Sequence, residues 1–418
     1  MIDSDDLYSD DMKNSLLFTP AKIGPLTLRN RTIRSAAFES MCENNSPTQM
    51  LEDYHVSVAR GGIGMTTLAY ASVTRNGLSF KRQLWMREEI VPGLRRITDA
   101  IHREGAAASI QIGHCGNMSK KSVAGQLPVS ASSGLNIYSP TFVRGMRPGE
   151  IEEVAKAFGH AVHLAREAGF DAVEVHAGHG YLLSQFLSPY TNRRKDMYGG
   201  SLENRMRFMK MAMNEVMEAA GSDMAVLVKT NMRDGFKGGI ELDEGLEIAR
   251  ELERCGAHAL VLSGGFVSRA PMYVMRGQMP IKTLTYYMDI PWLKVGVKLA
   301  GRMMIPTVPF KECYFLEDAL RFRKELKLPL VYVGGVVSRA NVETVLDSGF
   351  EFVQMGRALV TQPDFVNRMR ENDGDMACSS GCEHKNYCIG RMYTIDMKCH
   401  KHVPDLPAKL RKEMERIK

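Results

Sequence analysis

The sequence AVEVHAGHGY at residues 172–181 runs from a short apolar segment directly into a polar, glycine-rich turn. Similar apolar runs recur along the chain, and most of them are followed by a stretch whose apolar residues have helical spacing. Apolar strands that alternate with helices predict a parallel sheet with helices on its outer face. Eight such runs predict an α/β fold, a closed (β/α)8 TIM barrel, which commonly takes about 250 residues and more with insertions.

The predicted strands are Thr32–Ala37, Met65–Tyr70, Ala107–Ile112, Ala172–His176, Ala225–Thr230, Ala259–Ser263, Leu330–Gly334 and Glu351–Met355. The structural alternative is a doubly wound open sheet, which would usually have fewer strands in a row. Such a sheet often carries the pattern G-x-G-x-x-G in its first turn, and this pattern does not follow the first predicted strand. The closed barrel is therefore the favoured fold.

Length and composition agree with one elaborated barrel. The chain has 418 residues, of which 44% are hydrophobic and 24% charged, and these fractions exclude a disordered chain or collagen. We predict that residues 1–371 form the barrel and that residues 266–315 form a long insertion, or cap, after the sixth strand. Residues 372–418 would form a short tail that contains cysteines.

The same inventory disfavours several kinds of partner and location. The net charge of +6 is small for this length and the basic residues are scattered, so we expect no nucleic acid partner. No run of about 18 uncharged apolar residues predicts a membrane-spanning helix. The N-terminal sequence MIDSDDLYSDDMK lacks the apolar core of a secretory signal, and we therefore expect a cytoplasmic protein.

The polar residues at the carboxyl ends of the strands are the candidate site, because barrel active sites lie there. His176, His179 and Tyr181 fall within six residues at the end of the fourth predicted strand. Paired imidazoles can donate hydrogen bonds to a carbonyl oxygen or a phenolate, and a tyrosine can deliver a proton. A metal-binding histidine pair or two polar loop residues are the alternatives, but the strand-end position favours catalysis.

Further candidates end other strands. Gln111 ends the third and Lys229 ends the fifth, and a lysine at a barrel mouth needs an anionic partner such as a reduced cofactor ring. Gly334-Gly335 and Gly356-Arg357 follow the last two strands, where barrels usually bind phosphate. Each could instead be an ordinary strand end, a tight turn or a surface arginine, but their combination favours binding.

The segment from His176 to Arg205, HAGHGYLLSQFLSPYTNRRKDMYGGSLENR, resembles the signature of the old yellow enzyme family. The resemblance runs from about Leu17 to Arg370 and includes LFTPAKIGPLTLRNR and VYVGGVVSRANVETVLDSGFEFVQMGRALV. Within this family the chain is most similar to the barrel domain of dienoyl-CoA reductase and trimethylamine dehydrogenase, which carry further nucleotide-binding domains. The resemblance implies an FMN-dependent NAD(P)H oxidoreductase on a (β/α)8 barrel.

The family's roles carry over to the matching positions. His176 and His179 would hold the carbonyl oxygen of the substrate, and Tyr181 would be the proton donor. Gln111 and Lys229 would contact the pyrimidine edge of the flavin. The FMN phosphate would be bound by Gly334, Gly335, Gly356 and Arg357. The isoalloxazine ring would lie along Ser35 and Ala36, whereas Phe38 stands where some members place a Thr or Cys that tunes the flavin.

The implied reaction is ping-pong. NAD(P)H reduces the flavin, and hydride then passes from flavin N5 to the β-carbon of an α,β-unsaturated carbonyl compound while Tyr181 protonates the α-carbon. A small-molecule enone is the expected partner, and a bulky apolar enone or an enoyl thioester is one candidate. Two alternatives stay open: an amine oxidase or demethylase, and a flavin-binding protein without turnover.

Four of the eight cysteines lie in the tail, at Cys378, Cys382, Cys388 and Cys399, and their clustering suggests a metal site rather than disulfides. The longer relatives bind a [4Fe–4S] cluster here, but Lys385 stands where the second ligand is expected. A rearranged cluster completed by Cys378 or His384, a zinc site and a metal-free segment all stay open.

The insertion is rich in methionine and aromatic residues, which suits either a cap over an apolar substrate or a subunit interface. Its segment PWLKVGVKLAGRMMIP, residues 291–306, is basic and apolar. Such a segment could touch a membrane surface, but we favour contact with protein. We expect a homo-oligomer.

Overall fold

Eight parallel strands close into a barrel in the computed structural model, which describes residues 15–136, 141–288 and 290–417. The acidic N-terminal stretch, residues 1–13, lies outside the described residues. The strands are β1 (Ala21–Ile23), β2 (Leu26–Leu28), β3 (Thr32–Arg34), β4 (Met65–Ser72), β5 (Ala107–Gly113), β6 (Val129–Ser130), β7 (Gly134–Asn136), β8 (Thr141–Gly145), β9 (Ala172–Ala177), β10 (Ala225–Asn231), β11 (Ala259–Ser263), β12 (Leu330–Val333) and β13 (Phe352–Met355).

The helices are α1 (Gln49–Arg60), α2 (Val91–Arg103), α3 (Lys121–Ala124), α4 (Pro148–Glu167), α5 (Leu182–Leu187), α6 (Leu202–Ala220), α7 (Leu242–Arg254), α8 (Pro271–Met275), α9 (Ile281–Tyr287), α10 (Pro291–Met304), α11 (Leu316–Glu325), α12 (Arg339–Asp347), α13 (Arg357–Thr361), α14 (Phe365–Glu371), α15 (Tyr387–Met392) and α16 (Ala408–Arg416). Short 3-10 helices occur at Leu16–Phe18, Arg75–Gly77, Glu88–Ile90, Gly116–Met118 and His400–His402.

The predicted barrel is confirmed. Its strand order is β3-β4-β5-β9-β10-β11-β12-β13, and β13 pairs with β3 to close it. All eight predicted strands are present. The first differs most, because β3 ends at Arg34 instead of Ala37; the next residue, Ser35, still donates its N–H to the carbonyl of Met355 at 2.8 Å. A small three-stranded sheet of β6, β7 and β8 lies outside the barrel.

Side chains alternate between the two faces of each barrel strand. In β9, Ala172, Glu174 and His176 therefore share the inner face, and in β10 Leu227 and Lys229 share it. Ala172 and Leu227 belong to an apolar cluster, whereas the later positions are polar and buried. The interior thus changes along β9 and β10 from an apolar amino end to a polar carboxyl end.

The hairpin β1–β2 closes the amino end of the barrel. Ile23 and Leu28 are fully buried against Met65, Ala172 and Ala259, which are the first residues of their strands. Closing this end with apolar side chains keeps water out of the barrel. The carboxyl ends of the strands are left as the face on which a ligand can bind.

The insertion lies after β11, the sixth barrel strand, as predicted, and it packs against the tail. They share a buried apolar cluster with α13 that contains Met272, Met279, Leu284, Val360, Cys388, Ile389, Met397 and Cys399. The carboxylate of Glu413 in α16 accepts the backbone N–H groups of Lys282 and Thr283 at 2.8 and 2.7 Å. These groups start α9 and have no partner within their own helix, so the tail caps the insertion.

Helices α4 and α6 pack closely beside the strands that carry the candidate site. Gly159, in the middle of α4, approaches the backbone of α6, and a Cβ at this position would lie 2.9 Å from the carbonyl oxygen of Glu215. A Cβ on Gly149, in the first turn of the same helix, would instead enter open space, with no neighbouring atom within 4 Å. An alanine at Gly149 therefore changes helix propensity alone, whereas an alanine at Gly159 also changes the packing of α4 against α6.

We expect Gly159→Ala to lower the free energy of unfolding by roughly 1–3 kcal/mol, because the added methyl group forces the two helices apart. Gly149→Ala is the control and should change it by less than about 0.5 kcal/mol. Urea unfolding followed by circular dichroism measures both. Equal effects of the two substitutions would mean that the close approach of α4 and α6 does not limit the packing.

Candidate functional site

A buried hydrogen-bond network fills the carboxyl half of the barrel, and Glu174 is at its centre. One carboxylate oxygen accepts hydrogen bonds from the amide of Gln111 at 2.6 Å and the ammonium of Lys229 at 2.8 Å. The other accepts from the amide of Gln354 at 2.7 Å, and Gln354 in turn accepts from the hydroxyl of Ser35 at 3.0 Å. These five residues, the Glu174 network, come from or directly follow five different strands.

Lys229 has an anionic partner within the protein. Burial lowers its pKa, and the neighbouring carboxylate of Glu174 opposes that shift. The sequence analysis expected an anionic partner for Lys229, such as a reduced cofactor ring, and did not identify Glu174 as one. The ammonium also lies 3.4 Å from the hydroxyl of Ser35, which places it beside the Ser35-Ala36 backbone at the end of β3.

A second buried ion pair holds the segment after β3. The guanidinium of Arg34 donates to the carboxylate of Glu39 and to the carbonyl of Thr67, each at 2.6 Å. The same carboxylate accepts the N–H of Ala69 at 3.1 Å. Arg34 is 1% and Glu39 2% exposed, so the segment between them, which contains Ser35, Ala36 and Phe38, is fixed at both ends.

His176, His179 and Tyr181 converge at the end of β9. The ring centroids are 5.2 Å apart for the two imidazoles and 4.3 Å apart for His176 and Tyr181. His179 has a φ of +57°, a conformation that non-glycine residues seldom adopt, and its N–H donates to the side-chain oxygen of Asn231 at 2.9 Å. The ring of His179 also lies 2.7 Å, Nε2 to Oγ, from Ser263.

The protonation of these three side chains is set by burial. Burial lowers the pKa of His176 well below its ordinary value and that of His179 to about 3, and the nearby Lys229 adds to both shifts. Burial raises the pKa of Tyr181. The site therefore presents two neutral imidazoles and a protonated phenol at physiological pH.

Aromatic side chains form the walls around this group. The ring of Tyr70 meets that of Tyr181 edge-on with centroids 5.1 Å apart. Phe38 stacks on Phe80 at 4.6 Å, and Phe80 contacts the ring of Tyr393 from the tail at 5.7 Å. Tyr393 is also an electrostatic neighbour of Tyr181 and contributes to its raised pKa. The tail thus reaches the predicted proton donor.

Gly334 and Gly335 form a tight turn after β12, with φ angles of +138° and +75°. A Cβ on Gly334 would lie 2.8 Å from the ring of Phe315, and a Cβ on Gly335 would lie 2.8 Å from the backbone of Lys311 and Cys313. Only glycine fits at these positions, because the end of the insertion covers the turn. Gly356, by contrast, has room for a side chain.

Arg357 is held in place by the tail. Its guanidinium donates to the side-chain oxygen of Asn386 at 2.6 Å and lies over the ring of Phe310. The amide of Asn386 donates to the carbonyls of Arg276 and Gln278 at 2.8 and 3.2 Å. One buried side chain of the tail therefore joins Arg357 to the insertion.

The sequence leaves open whether the four tail cysteines bind a metal, and in the described residues they do not form one group. Cys378 packs into the main core, whereas Cys382 and Cys399 are electrostatic neighbours of Cys388, whose pKa burial raises to about 12. Within the part of the chain that the structure describes, no three His, Cys, Asp or Glu side chains are placed to hold a metal. These residues do not fit a four-thiolate cluster.

An ion-pair group lies between the tail cysteines in the sequence. Glu383 is paired with Lys385 at 2.5 Å and with Lys401 at 2.7 Å. The ammonium of Lys401 also donates to the carbonyl of Gly381 at 2.8 Å. Two separated parts of the tail are thus joined by charge, and Lys385 is a member of this group instead of a ligand.

Sequence reasoning missed Glu174, Gln354 and Asn386. For the first two a signal was present, since each is a polar residue inside an otherwise apolar strand, at a position that alternation directs into the barrel. Asn386 lies in an irregular segment, and its left-handed backbone, with a φ of +53°, is the feature that marks it.

Comparisons with known proteins identify the family of this chain. A model described as the NADH:flavin oxidoreductase / NADH oxidase family matches residues 16–297. The chain is 40% identical over 380 residues to the 4,4'-dithiodibutanoate disulfide reductase of Rhodococcus erythropolis, covering 90% of this chain and 93% of that protein. It is 30% identical over 376 residues to the NADH oxidase of Thermoanaerobacter brockii, covering 88% of this chain and 53% of that protein.

The fold is similar to that of the old yellow enzyme homologue from Zymomonas mobilis, with a TM-score of 0.68 and 22% sequence identity. The match covers 90% of this chain and 99% of that one. At 22% identity this structural similarity establishes the fold alone. The chain spans nearly the whole length of the first relative above and about half of the second.

The pKa shifts predict that His176 and His179 stay neutral between about pH 5 and pH 8, whereas an ordinary histidine titrates in that range. His102 is the internal control, because its hydrogen bond to Asp171 at 2.7 Å raises its pKa. Nitrogen-15 NMR of labelled imidazoles should show His102 titrating above pH 6.5 and the other two unchanged. Titration of His176 or His179 near the ordinary value would contradict their burial.

Proposed function

The chain belongs to the NADH:flavin oxidoreductase / NADH oxidase family and is an NAD(P)H-dependent flavin oxidoreductase; we propose that it uses FMN to reduce an α,β-unsaturated carbonyl compound. The family membership confirms the resemblance predicted from residues 176–205. The acceptor and the roles of individual residues are our proposal. One observation carries it: two neutral imidazoles and a protonated phenol converge at the carboxyl end of β9.

The described residues fit FMN. Lys229 and Gln111 place an ammonium and an amide inside the barrel, next to the Ser35-Ala36 backbone along which the ring would lie. The phosphate would be bound by Gly334, Gly335, Gly356 and Arg357, where the fixed guanidinium of Arg357 provides positive charge. When bound, FMN supplies the two-electron relay between NAD(P)H and the acceptor.

The histidines and the tyrosine would do different work during enone reduction. His176 and His179 donate hydrogen bonds to the carbonyl oxygen as negative charge develops there, and a buried site makes such bonds stronger than in water. Hydride adds to the β-carbon, and the phenol of Tyr181 gives its proton to the α-carbon. The balance is one NAD(P)H and one proton consumed for each saturated carbonyl formed.

Reduction of a small disulfide is a second candidate. The protein of Rhodococcus erythropolis, of which 93% is covered by the match to this chain, is named a disulfide reductase. Here one NAD(P)H and one proton would convert the disulfide into two thiols. The leaving sulfur forms a thiolate, which is stable in water near neutral pH, since an ordinary thiol has a pKa of about 8.5. Disulfide reduction therefore depends less on a proton donor from the protein than enone reduction does, because the α-carbon of the enone must be protonated.

We expect Tyr181→Phe to slow cyclohexenone reduction by about a hundredfold or more, because general acid catalysis at carbon is lost. Flavin reduction by NAD(P)H should not change. Reduction of 4,4'-dithiodibutanoate should slow by less than about tenfold, since the thiolate can take its proton from water. Stopped-flow absorbance of the bound flavin measures each half-reaction separately.

The outcomes separate the candidates. Equal slowing of flavin reduction and enone reduction would show that Tyr181 is not the proton donor. Reoxidation of the reduced protein by the disulfide but not by cyclohexenone would favour the second candidate. Bleaching of the oxidised flavin by trimethylamine would favour an amine oxidase or demethylase, and a protein that binds flavin but responds to none of these compounds would lack turnover.

Asn386 should act as a positioning residue for the phosphate site. It is 2% exposed, and it holds the guanidinium of Arg357 while its amide is anchored on the insertion. We expect Asn386→Ala to weaken FMN binding to the apoprotein by roughly tenfold, the loss of one charged hydrogen bond. Riboflavin, which has no phosphate, should bind equally well to both proteins.

Tyr387→Phe is the matched control for this substitution. It removes the neighbouring hydrogen bond between tail and insertion, the 2.8 Å contact of the Tyr387 and Tyr287 hydroxyls, without touching Arg357. Flavin fluorescence titration gives the dissociation constants. Equal weakening of FMN binding by both variants, or a parallel loss of riboflavin binding by Asn386→Ala, would assign the effect to tail docking as a whole.

A further inference from the structure

Helix α10 of the insertion presents large apolar side chains to solvent. Trp292 is 64%, Leu299 85% and Met303 81% exposed. Val295, at 56%, lies between them in the sequence. Because these residues are spaced by three, four and four positions, they form one stripe along the helix. Exposed apolar patches of this kind usually mark a surface that binds a partner.

The opposite side of α10 is anchored to the protein. Gly301 is the buried residue of the helix, and a Cβ there would approach the side chain of Ile281 in α9 at 3.0 Å. Val297 packs against the apolar cluster that the insertion shares with the tail. The helix is therefore held by one face while its large apolar side chains point away from the molecule.

The charge of α10 has one sign. Between residues 290 and 304 every charged side chain is basic, namely Lys294, Lys298 and Arg302. A second copy docked by two-fold symmetry through this face would bring the basic residues of one copy towards those of the other, which disfavours self-association. A stripe with tryptophan, leucine and methionine beside basic residues instead suits an anionic lipid surface.

We propose that α10 docks the protein on an anionic membrane surface. The apolar stripe would enter the boundary between headgroups and acyl chains, and the basic residues would face the lipid phosphates. Tryptophan favours this boundary because its ring is apolar and its N–H can still meet a polar group. Among the helices of the described residues, none has the length and apolar character that crossing a membrane requires.

This binding needs no turnover and is independent of the function proposed above, so either can fail alone. The protein as purified is mixed with phosphatidylcholine vesicles or with vesicles that also contain phosphatidylglycerol, and binding is measured by flotation. We expect binding to the anionic vesicles and its loss at high salt. The chain has only two tryptophans, so a blue shift of tryptophan emission on binding reports burial of Trp292.

Two variants test the two parts of the surface. Leu299→Asp should weaken vesicle binding by at least about tenfold, and Lys298→Gln with Arg302→Gln by roughly ten- to thirtyfold. Phe142→Asp is the matched control, since Phe142 is 74% exposed and belongs to β8 instead of α10, and it should leave binding unchanged. Circular dichroism confirms that each variant is folded.

The opposite results would overturn the proposal. Absence of binding to the anionic vesicles, or binding that Leu299→Asp leaves unchanged, excludes docking through α10. Size-exclusion chromatography of the same variants provides a second readout. If Leu299→Asp converts a dimer into a monomer and vesicles are not bound, the stripe is an interface between copies of this chain.

Discussion

The carboxylate of Glu174 is the interaction on which the carboxyl half of the barrel depends. Its two oxygens hold Gln111, Lys229 and Gln354, so side chains from four strands share one buried negative charge. A buried charge is tolerated only when it is paired and fully hydrogen-bonded, and each partner therefore constrains the others. The same network forms the floor beneath His176, which lies two residues further along the same strand face.

Above this floor, burial decides the chemistry that the site can perform. The ammonium of Lys229 and the low polarity of the surroundings disfavour a second positive charge, which keeps His176 and His179 neutral. Neutral imidazoles can donate a hydrogen bond without introducing charge, and Tyr181 keeps its proton until an acceptor needs it. The reactive surface thus consists of hydrogen-bond donors that do not respond to ordinary changes of pH.

The parts of the site that are continuous in sequence could be predicted. His176 lies at the end of β9 and Tyr181 follows it, and a strand end in a barrel is at the active face whatever the rest of the chain does. Glu174 and Gln354 are 180 residues apart, and their contact depends on barrel closure, which no local pattern encodes. Asn386 was out of reach for the same reason, because its partners on the insertion are more than 100 residues away.

The late position of β13 and Asn386 in the sequence has a consequence for biosynthesis. The barrel closes only when β13 pairs with β3, more than 300 residues earlier, and Arg357 receives its support from Asn386 later still. A chain that emerges from the ribosome amino end first must therefore keep β3 unpaired on one side until β13 has been synthesised. The wall that contains Arg357 is then completed after the barrel itself, and a chain that stopped before Asn386 would have a closed barrel in which Arg357 lacks this support.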